Sequence, residues 1–358
     1  MKAVLLGAAN SVHTARWANG LASRGVQVFL ISAHDNTHEL DYRVRLHILK
    51  HKAPLGYFFN FIEVRALLRQ IQPDLVNAHY ATGYGLLARL AGFHNTLLSV
   101  WGSDVYDFPE KSIFHRWFLK GNLQAATAIG STSHCMAKIM METYRHRQVF
   151  ITPFGIDEEK FKPSETAREK SKIVIGTIKT LLPKYGLDTL FEAFALVAEH
   201  YENSDQLILE VTGDGPELGN LSALAQSLGI DKQVVFHGAV GHERVPDLVN
   251  RLDIYVALSR HESFGVAILE ASACEKPVVV SDADGPAEVT IDGETGFTVP
   301  REDAKAAADV ILELIKDKTL RLQMGRAGRL HVLEHYTWDK SLDLMIDAYK
   351  AVIGQKSI

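Results

Sequence analysis

Cysteine is scarce in this chain, with only Cys135 and Cys274 among 358 residues. Two thiols so far apart exclude a disulfide scaffold and a cysteine metal cluster, and they are typical of a reducing cytosol. Long apolar runs are also lacking, since none approaches the roughly 20 residues that a membrane-spanning helix needs. The short apolar run at the start predicts a first strand and not a secretion signal. We therefore expect a cytoplasmic globular protein, with peripheral contact to the inner membrane face as a further hypothesis.

An excess of basic charge is missing as well. Lys and Arg number 38 against 43 Asp and Glu, and the formal net charge of −5 argues against a nucleic-acid partner. The charge is unevenly divided, because residues 1–150 carry a net +7 and the remainder a net −12. Such a contrast between halves predicts two domains with different partners.

The glycine fingerprint of nicotinamide dehydrogenases is also absent. Gly7 ends the first predicted strand, but residues 8–12 supply no second or third glycine at the G-x-G-x-x-G spacing. A hydride-transferring enzyme of that class is therefore excluded, although such enzymes share with this chain the alternating strands and helices described next.

Strand-like and helical segments alternate through both halves, which predicts parallel, doubly wound sheets. Residues 158–172 are polar, contain a proline and lack an apolar stripe, so they predict a linker. We expect Rossmann-like domains over residues 1–160 and 171–337, with a terminal helix of about 338–358 packing back on the first. Ligands of such sheets bind beyond the carboxyl ends of the strands, so the expected site is a cleft between the two facing domains.

The stretch after the predicted strand Ile254–Ala257 contains the most chemistry. A helix that opens near Gly265 would direct its first backbone N–H groups, with the helix dipole, at an anion such as a diphosphate. Glu262 in the preceding turn can bind a polyol, and Glu270, about two turns further on, can accept hydrogen bonds from a ribose. Ordinary surface glutamates on an amphipathic helix are the alternative interpretation of this spacing.

Two lysines follow the first strand of the second half. Lys179 and Lys184 lie after a strand and before a helix, where two point charges can hold a diphosphate, although solvated loop lysines are the alternative. Gly213-Asp214 follows the next strand, and Gly285–Val289 follows a later one, so both are expected to be turns at the same sheet edge.

Taken together, the motifs between Ile173 and about Tyr336 resemble the donor-binding domain of retaining glycosyltransferases of sequence family 4, which adopt the GT-B fold. The matching pieces are Lys179 and Lys184 with Tyr185-Gly186, Gly213-Asp214-Gly215-Pro216, Glu262-Ser263-Phe264-Gly265 through Glu270, Pro277-Val278-Val279-Val280, and Asp292-Gly293-Glu294-Thr295-Gly296. The first half resembles the family's acceptor domain through Asn10–Trp17 and Trp101-Gly102-Ser103-Asp104. The resemblance covers nearly the whole chain.

The resemblance implies an α/β GT-B fold and transfer of a sugar from a UDP- or GDP-sugar to an acceptor hydroxyl, with retention of the anomeric configuration. In the family, the departing phosphate is thought to take the acceptor proton, so no cofactor and no metal are expected. The implied catalytic residues are Glu262, Lys184, Lys179 and His13. The implied donor-binding residues are Gly7, Gly213, Asp214, Ser263, Phe264, Gly265, Val266 and Glu270. His79, Trp101 and Asp104 are the acceptor-side candidates.

Two positions depart from the family pattern, and one motif imitates another family. Trp101 stands where many relatives have histidine, so His13 or His79 would have to supply any proton relay. Lys179 stands where arginine is common, which keeps the charge but loses the bidentate fork. The D-x-D spacing of Asp282-Ala283-Asp284 is that of a metal site in a different glycosyltransferase fold, but here it predicts turn aspartates.

The acceptor is expected to be a saccharide or a lipid-linked molecule of polysaccharide, lipopolysaccharide or glycolipid synthesis. Residues 42–52 are basic with alternating apolar residues, and an aromatic run at 56–61, Arg65 and Arg69 follow, so the stretch 42–69 suits an anionic membrane surface. An edge strand followed by a helix that buries its aromatics is the alternative. A GT-B epimerase or phosphorylase, or a non-catalytic nucleotide-sugar binding protein, are the other functions that the motifs leave open.

Overall fold

The computed structural model describes residues 1–164 and 171–354, which divide into two compact units. Unit 1 is Met1–Pro153 together with the C-terminal segment from Asp339, and unit 2 is Phe154–Trp338. Each unit contains a parallel sheet covered by helices, as the alternation in the sequence predicts.

Unit 1 contains a seven-stranded sheet with the strand order β3-β2-β1-β4-β5-β6-β7. Its elements up to residue 151 are β1 Lys2–Leu6, α1 Val12–Ser23, β2 Gln27–Ser32, β3 Arg45–Ile48, α2 Gly56–Phe59, α3 Phe61–Ile71, β4 Leu75–His79, α4 Gly83–Ala91, β5 Thr96–Val100, α5 Asp107–Glu110, α6 Ile113–Ala125, β6 Ala128–Ser131, α7 His134–Glu142 and β7 Val149–Ile151.

Unit 2 contains a six-stranded sheet with the strand order β10-β9-β8-β11-β12-β13. Its elements are β8 Ile173–Ile178, a 3₁₀ turn at Pro183–Tyr185, α8 Leu187–His200, a second 3₁₀ turn at Ser204–Gln206, β9 Leu207–Thr212, α9 Leu218–Ser227, β10 Val234–Gly238, α10 Val245–Arg251, β11 Ile254–Ala257, α11 Val266–Ala273, β12 Val278–Ser281, α12 Asp284–Val289, β13 Gly296–Val299, α13 Ala304–Lys316 and α14 Lys318–His335. The last helix of the chain is α15, Trp338–Gly354. Over the described part of the chain, no helix is both long and apolar enough to cross a membrane.

The central strands are short apolar runs because helices cover both of their faces. Every residue of β4, β5, β11 and β12 is buried, which removes the alternation that a half-exposed strand would show. Some of the connecting helices begin at a side-chain cap; in α1, for example, the Ser11 side chain accepts a hydrogen bond from the Thr14 amide.

The strand order of each sheet turns back beside its first strand. β1 lies between β2 and β4, and β8 lies between β9 and β11. Chain crossovers leave in opposite directions at these two places, so a crevice opens beyond the carboxyl ends of each strand pair. The loops after β8 and β11 therefore meet at the crevice of unit 2, and the loops after β1 and β4 at that of unit 1.

The division between the units lies before the predicted linker. Ile156 donates its amide to the Tyr336 carbonyl at 2.7 Å and accepts from the Trp338 amide at 2.8 Å. Phe161 is buried, and the Asn250 side chain donates to the carbonyl of Lys162 at 3.0 Å. Residues 154–164 are thus attached to unit 2, so the expected domain end at residue 160 falls inside this segment, and residues 165–170 of the predicted linker lie outside the described part.

A buried polar chain fastens α15 to the sheet of unit 1. The Asn77 side-chain amide on β4 donates to the Tyr349 hydroxyl at 2.8 Å, and the Ser99 hydroxyl on β5 donates to the Asn77 oxygen at 2.9 Å. All three side chains are buried, so each hydrogen bond satisfies a group that water cannot reach.

Tyr349→Phe is expected to lower the free energy of unfolding by about 1–3 kcal/mol, because the buried Asn77 amide loses its acceptor. Urea denaturation followed by tryptophan fluorescence measures the loss. Tyr42→Phe is the matched control, since Tyr42 is 92% exposed and should unfold as the wild type does. Equal midpoints for both variants would show that the polar chain contributes no stability.

Candidate functional site

The crevice of unit 2 is formed by two loops that are joined through their backbones. The lysine loop, residues 179–186, follows β8, and the glutamate loop, residues 258–265, follows β11. The amides of Arg260 and His261 both donate to the Lys184 carbonyl, at 2.8 and 3.2 Å. The Arg260 guanidinium also donates to both oxygens of Asp188, at 2.9 and 2.7 Å. The two loops are therefore held in one arrangement.

Lys179 and Glu262 form a buried ion pair between these loops. Their side chains are 9% and 11% exposed, and the second Glu262 oxygen accepts from the Ser259 hydroxyl at 2.8 Å. Burial alone would lower the pKa of Lys179, but the Glu262 carboxylate, together with the Tyr255 hydroxyl, holds it above its ordinary value. The ammonium of Lys179 is therefore charged at neutral pH and needs an anion beside it.

Lys184 brings a second ammonium to the same place. The Nζ atoms of Lys179 and Lys184 lie 4.9 and 5.4 Å from the ring centre of Tyr185. Cation–π attraction to one shared ring keeps the two charges near each other. Two compact cations at the carboxyl edge of a sheet suit a diphosphate.

The turn after β9 packs against the backbone of the lysine loop. Gly213 has a φ of +134°, and a Cβ atom there would lie 1.8 Å from the Lys179 carbonyl oxygen. Leu181 donates its amide to the Asp214 carbonyl at 3.0 Å, while the Asp214 carboxylate accepts from the Gly215 amide at 2.7 Å. The predicted donor residues Gly213 and Asp214 thus lie against the loop that carries Lys179.

The N-terminus of α11 supplies backbone donors to the crevice. Gly265 precedes the helix with a φ of +122°, and no side chain caps it. Within the described residues, no acceptor pairs with the amides of Phe264, Gly265 or Val266. Ser263 lies in the same turn, half-buried. The helix therefore opens where the sequence predicts, with its positive end available to an anion.

The prediction of a turn at Gly285–Val289 is wrong, because these residues belong to the short helix α12, Asp284–Val289. A Cβ atom at Gly285 would lie 2.3 Å from the Phe264 nitrogen, and the Gly285 amide donates to the Glu262 carbonyl at 3.1 Å. Pro286 is tolerated because it stands in the first turn of a helix. The segment therefore forms the support of the glutamate loop.

Glu270 belongs to a separate polar chain on the same helix. It is 7% exposed, and one carboxylate oxygen lies 3.1 Å from Nε2 of His242, whose Nδ1 lies 2.9 Å from the Lys160 ammonium. An ammonium can only donate, so Nδ1 of His242 accepts and Nε2 donates to Glu270. Glu270 therefore accepts this hydrogen bond from His242.

The crevice of unit 1 gathers an aromatic cluster. A Cβ atom at Gly7 would lie 2.9 Å from Cγ2 of Thr14 and 3.3 Å from Nδ1 of His79. The Trp101 ring contacts both histidines, with ring centres 5.8 Å from His13 and 5.0 Å from His79. Burial, with a smaller effect of the His13 charge, lowers the pKa of His79 to about 3, so His79 is a neutral residue.

Asp104 is close to this cluster but sealed from solvent. Its carboxylate accepts the amides of Ala81, Trp101 and Gly102 at 2.7, 3.0 and 2.9 Å. Burial raises the pKa of Asp104 above its usual value, against these hydrogen bonds. Asp104, predicted as an acceptor-side candidate, therefore positions the Trp101 loop from a buried place beside this crevice.

The D-x-D spacing is divided between two local roles. Asp282 accepts from Nε of Arg301 at 3.0 Å, and Asp284 begins α12. Across residues 1–164 and 171–354 there is no group of three or more side chains suited to holding a metal.

Sequence reasoning missed three contributors to the crevice of unit 2. Ser259 could have been found from its position three residues before Glu262. The Tyr185 ring was noted only as part of a motif, and nothing in the local pattern shows that two lysines share it. His242 lies 28 residues from Glu270, so only the folded sheet brings them together.

The family is decided by two matches that together extend over most of the chain. Residues 157–331 match the family described as glycosyl transferases group 1, and residues 2–133 match the one described as glycosyl transferase 4-like. The chain belongs to the group 1 glycosyltransferases. The resemblance stated from the motifs is thereby confirmed. In this glycosyltransferase the first match covers most of unit 2, and the second covers most of unit 1.

Among curated relatives, the glycosyltransferase is 29% identical over 201 residues to the GDP-mannose-dependent alpha-(1-6)-phosphatidylinositol monomannoside mannosyltransferase of Mycolicibacterium smegmatis, covering 52% of each chain. It is 26% identical over 287 residues to the N-acetyl-alpha-D-glucosaminyl L-malate synthase of Bacillus anthracis, covering 75% of this chain and 72% of that one. The match thus spans about half the length of the first relative.

Solved structures share the fold at low sequence identity. Sucrose-phosphate synthase from Thermosynechococcus elongatus has a TM-score of 0.83 at 19% identity, over 98% of this chain and 99% of that one. Anabaena HepE, solved with UDP and glucose, has a TM-score of 0.76 at 18% identity, over 98% and 100%. The predicted GT-B fold with two Rossmann-like parallel sheets is confirmed.

A double-mutant cycle tests the Lys179–Glu262 ion pair. Glu262→Gln and Lys179→Met are each expected to destabilise unit 2 by about 3–5 kcal/mol, since each leaves a partner buried without compensation. The double variant should lose clearly less than the sum of the two, because neither charge is then left alone. Thermal and urea unfolding of the four proteins measure the coupling.

Asp309→Asn is the matched control, because it breaks an ion pair on the surface. The Asp309 side chain is 61% exposed, and that of its partner Lys305 is 79% exposed. Exposed pairs contribute at most about 1 kcal/mol, so this variant should unfold like the wild type. Strict additivity of Glu262→Gln and Lys179→Met would rule out the pairing.

Proposed function

We propose that this glycosyltransferase moves a sugar from a UDP- or GDP-sugar to a hydroxyl of a saccharide or lipid-linked acceptor, with retention of configuration and without a metal ion. The observation that carries the proposal is the buried Lys179–Glu262 pair beside the uncapped N-terminus of α11. Phosphate anions suit such a helix terminus, and a carboxylate suits sugar hydroxyls.

Donor binding exchanges the partners of Lys179. The diphosphate replaces Glu262 as the anion beside the two ammoniums, and the backbone amides of residues 264–266 bind phosphate and sugar oxygens. Glu262 then turns to hydroxyls of the donor sugar, with Ser263 and the turn at Gly213 and Asp214 beside the nucleotide. Glu270, already held as an acceptor by His242, binds the ribose hydroxyls.

The transfer step breaks the bond between the anomeric carbon and the diphosphate oxygen. Lys179 and Lys184 stabilise the charge that develops on this leaving group. The acceptor oxygen bonds to the same face of the anomeric carbon, and its proton passes to the departing phosphate. This course needs no pair of carboxylates of the kind used by hydrolases.

The acceptor is assigned to the crevice of unit 1. His13 is half-buried and lies against Trp101, so it can reach a ligand, whereas His79 is buried and neutral. We therefore assign contact with the acceptor during catalysis to His13. His79 supports the Trp101 ring from the buried side. The name of the Mycolicibacterium smegmatis relative specifies a phosphatidylinositol-based acceptor, which supports a lipid-linked acceptor here.

A thermal-shift screen against UDP-, GDP-, ADP- and TDP-sugars tests the proposal. We expect one UDP- or GDP-sugar to raise the melting temperature, since ligands that bind only the folded state stabilise it. The same stabilisation and the subsequent transfer should survive EDTA. Absence of a shift with every nucleotide sugar would refute the donor assignment, and loss of transfer in EDTA would refute the metal-independent course.

His242→Phe tests the chain that holds Glu270. Losing the hydrogen bond from His242 to Glu270 is expected to raise the donor KM by about tenfold, with kcat nearly unchanged, because ribose binding lies away from the reacting atoms. His94→Phe in unit 1, where His94 is exposed, is the matched control. An unchanged donor KM in His242→Phe would remove His242 from donor binding.

A further inference from the structure

Helix α6 has an apolar surface that the core of unit 1 leaves uncovered. Ile113, Phe114 and Trp117, the α6 apolar face, are 72%, 78% and 71% exposed. Leu119 and Leu123 on the other side of the helix are completely buried, so α6 already has its own core side. Three adjacent large apolar side chains kept in water mark an interaction surface.

The residues around this face are basic. Lys111, Arg116 and Lys120 are all exposed, and residues 111–120 contain no Asp or Glu. Within the described part of the chain, neither Lys111 nor Lys120 pairs with a carboxylate, and Arg116 lies 3.5 Å from Glu110. Lys111 and Lys120 thus place two positive charges without a carboxylate partner among the described residues beside the α6 apolar face, whereas the exposed acidic residues of the adjoining α5 are Asp107 and Glu110, of which Glu110 lies beside Arg116. The two remaining positive charges complement an anionic surface.

A second group of exposed apolar side chains lies in the same layer of helices. Its members are Leu55, Phe58, Phe59 and Ile62 on and beside α2 and α3. Helix α4 packs against both α2 and α6, so the two groups flank it on one side of the sheet. Some basic side chains near this second group already lie beside carboxylates. Lys52 contacts Asp35, and His47 lies 3.0 Å from Glu63.

We propose that the α6 apolar face inserts into the interfacial region of an anionic membrane, with Lys111, Arg116 and Lys120 at the level of the lipid phosphates. Trp and Phe suit this interface, and basic side chains add attraction to anionic headgroups. The inference deepens the proposed function, since a lipid-linked acceptor would then be presented to unit 1. In this proposal the α6 apolar face is the primary contact, and the predicted membrane stretch 42–69, which contains the second exposed group, is a secondary one.

Flotation of the full chain with phosphatidylcholine vesicles, with and without phosphatidylglycerol, tests the proposal. We expect binding to the anionic vesicles that weakens with salt. The triple variant I113S/F114S/W117S should bind them about 100-fold more weakly, because three side chains lose their burial in lipid. Lys111→Glu combined with Lys120→Glu should abolish the preference for phosphatidylglycerol.

The matched control is L322S/L330S on α14, which removes two exposed apolar side chains of unit 2 and should float as the wild type does. Unchanged circular dichroism and melting temperature of the triple variant show that its fold is intact. Wild-type protein that does not float, or a triple variant that floats equally well, would overturn the proposal. So would a dimer in size-exclusion chromatography that the triple variant converts to a monomer, since the face would then bind a second copy.

The nucleotide-sugar thermal shift separates this proposal from the proposed function. The triple variant should keep the wild-type shift, because its substitutions lie in unit 1, whereas the lysine and glutamate loops belong to unit 2. Flotation without any nucleotide-sugar shift would overturn the donor assignment and leave the membrane contact standing. A nucleotide-sugar shift without flotation would overturn the membrane contact and leave the donor assignment standing.

Discussion

The crevice of unit 2 depends on the need to compensate one buried positive charge. Lys179 is carried on the loop after β8, and the anion that keeps it charged, Glu262, is carried on the loop after β11. These strands are neighbours at the place where the strand order turns back, so the fold brings the two loops together. We propose that this charge pair exchanges its carboxylate for the phosphate of the donor, to which the neighbouring amides of α11 also donate.

Much of this arrangement could be predicted because it depends on local patterns. Buried strands appear as short apolar runs, the opening of α11 is marked by Gly265, and two lysines after a strand suggest a phosphate loop. What could not be predicted depends on contacts between distant segments. The buried state of Asp104 depends on amides from two loops, and the attachment of residues 154–164 to unit 2 depends on Tyr336 and Trp338.

The uneven division of charge has two different structural origins. In unit 2, which is acidic overall, the important cations are placed individually, each held by backbone and aromatic contacts at the crevice. In unit 1, part of the basic excess is neutralised by nearby carboxylates, as at Lys52, while Lys111 and Lys120 lie beside an uncovered apolar face on α6. Net charge by halves therefore indicates that the partners differ, but side-chain pairing decides which surface is available to them.

Calorimetric titration of the matching nucleoside diphosphate into the wild type, Lys179→Met and Glu262→Gln tests the exchange of anions most directly. Lys179→Met should bind about 10- to 100-fold more weakly, since a charged hydrogen bond to phosphate is lost. Glu262→Gln should bind at least as tightly as the wild type, because the competing carboxylate is gone, while its sugar transfer collapses. Equal affinity in Lys179→Met, or weaker binding in Glu262→Gln at a temperature where it is folded, would contradict the account.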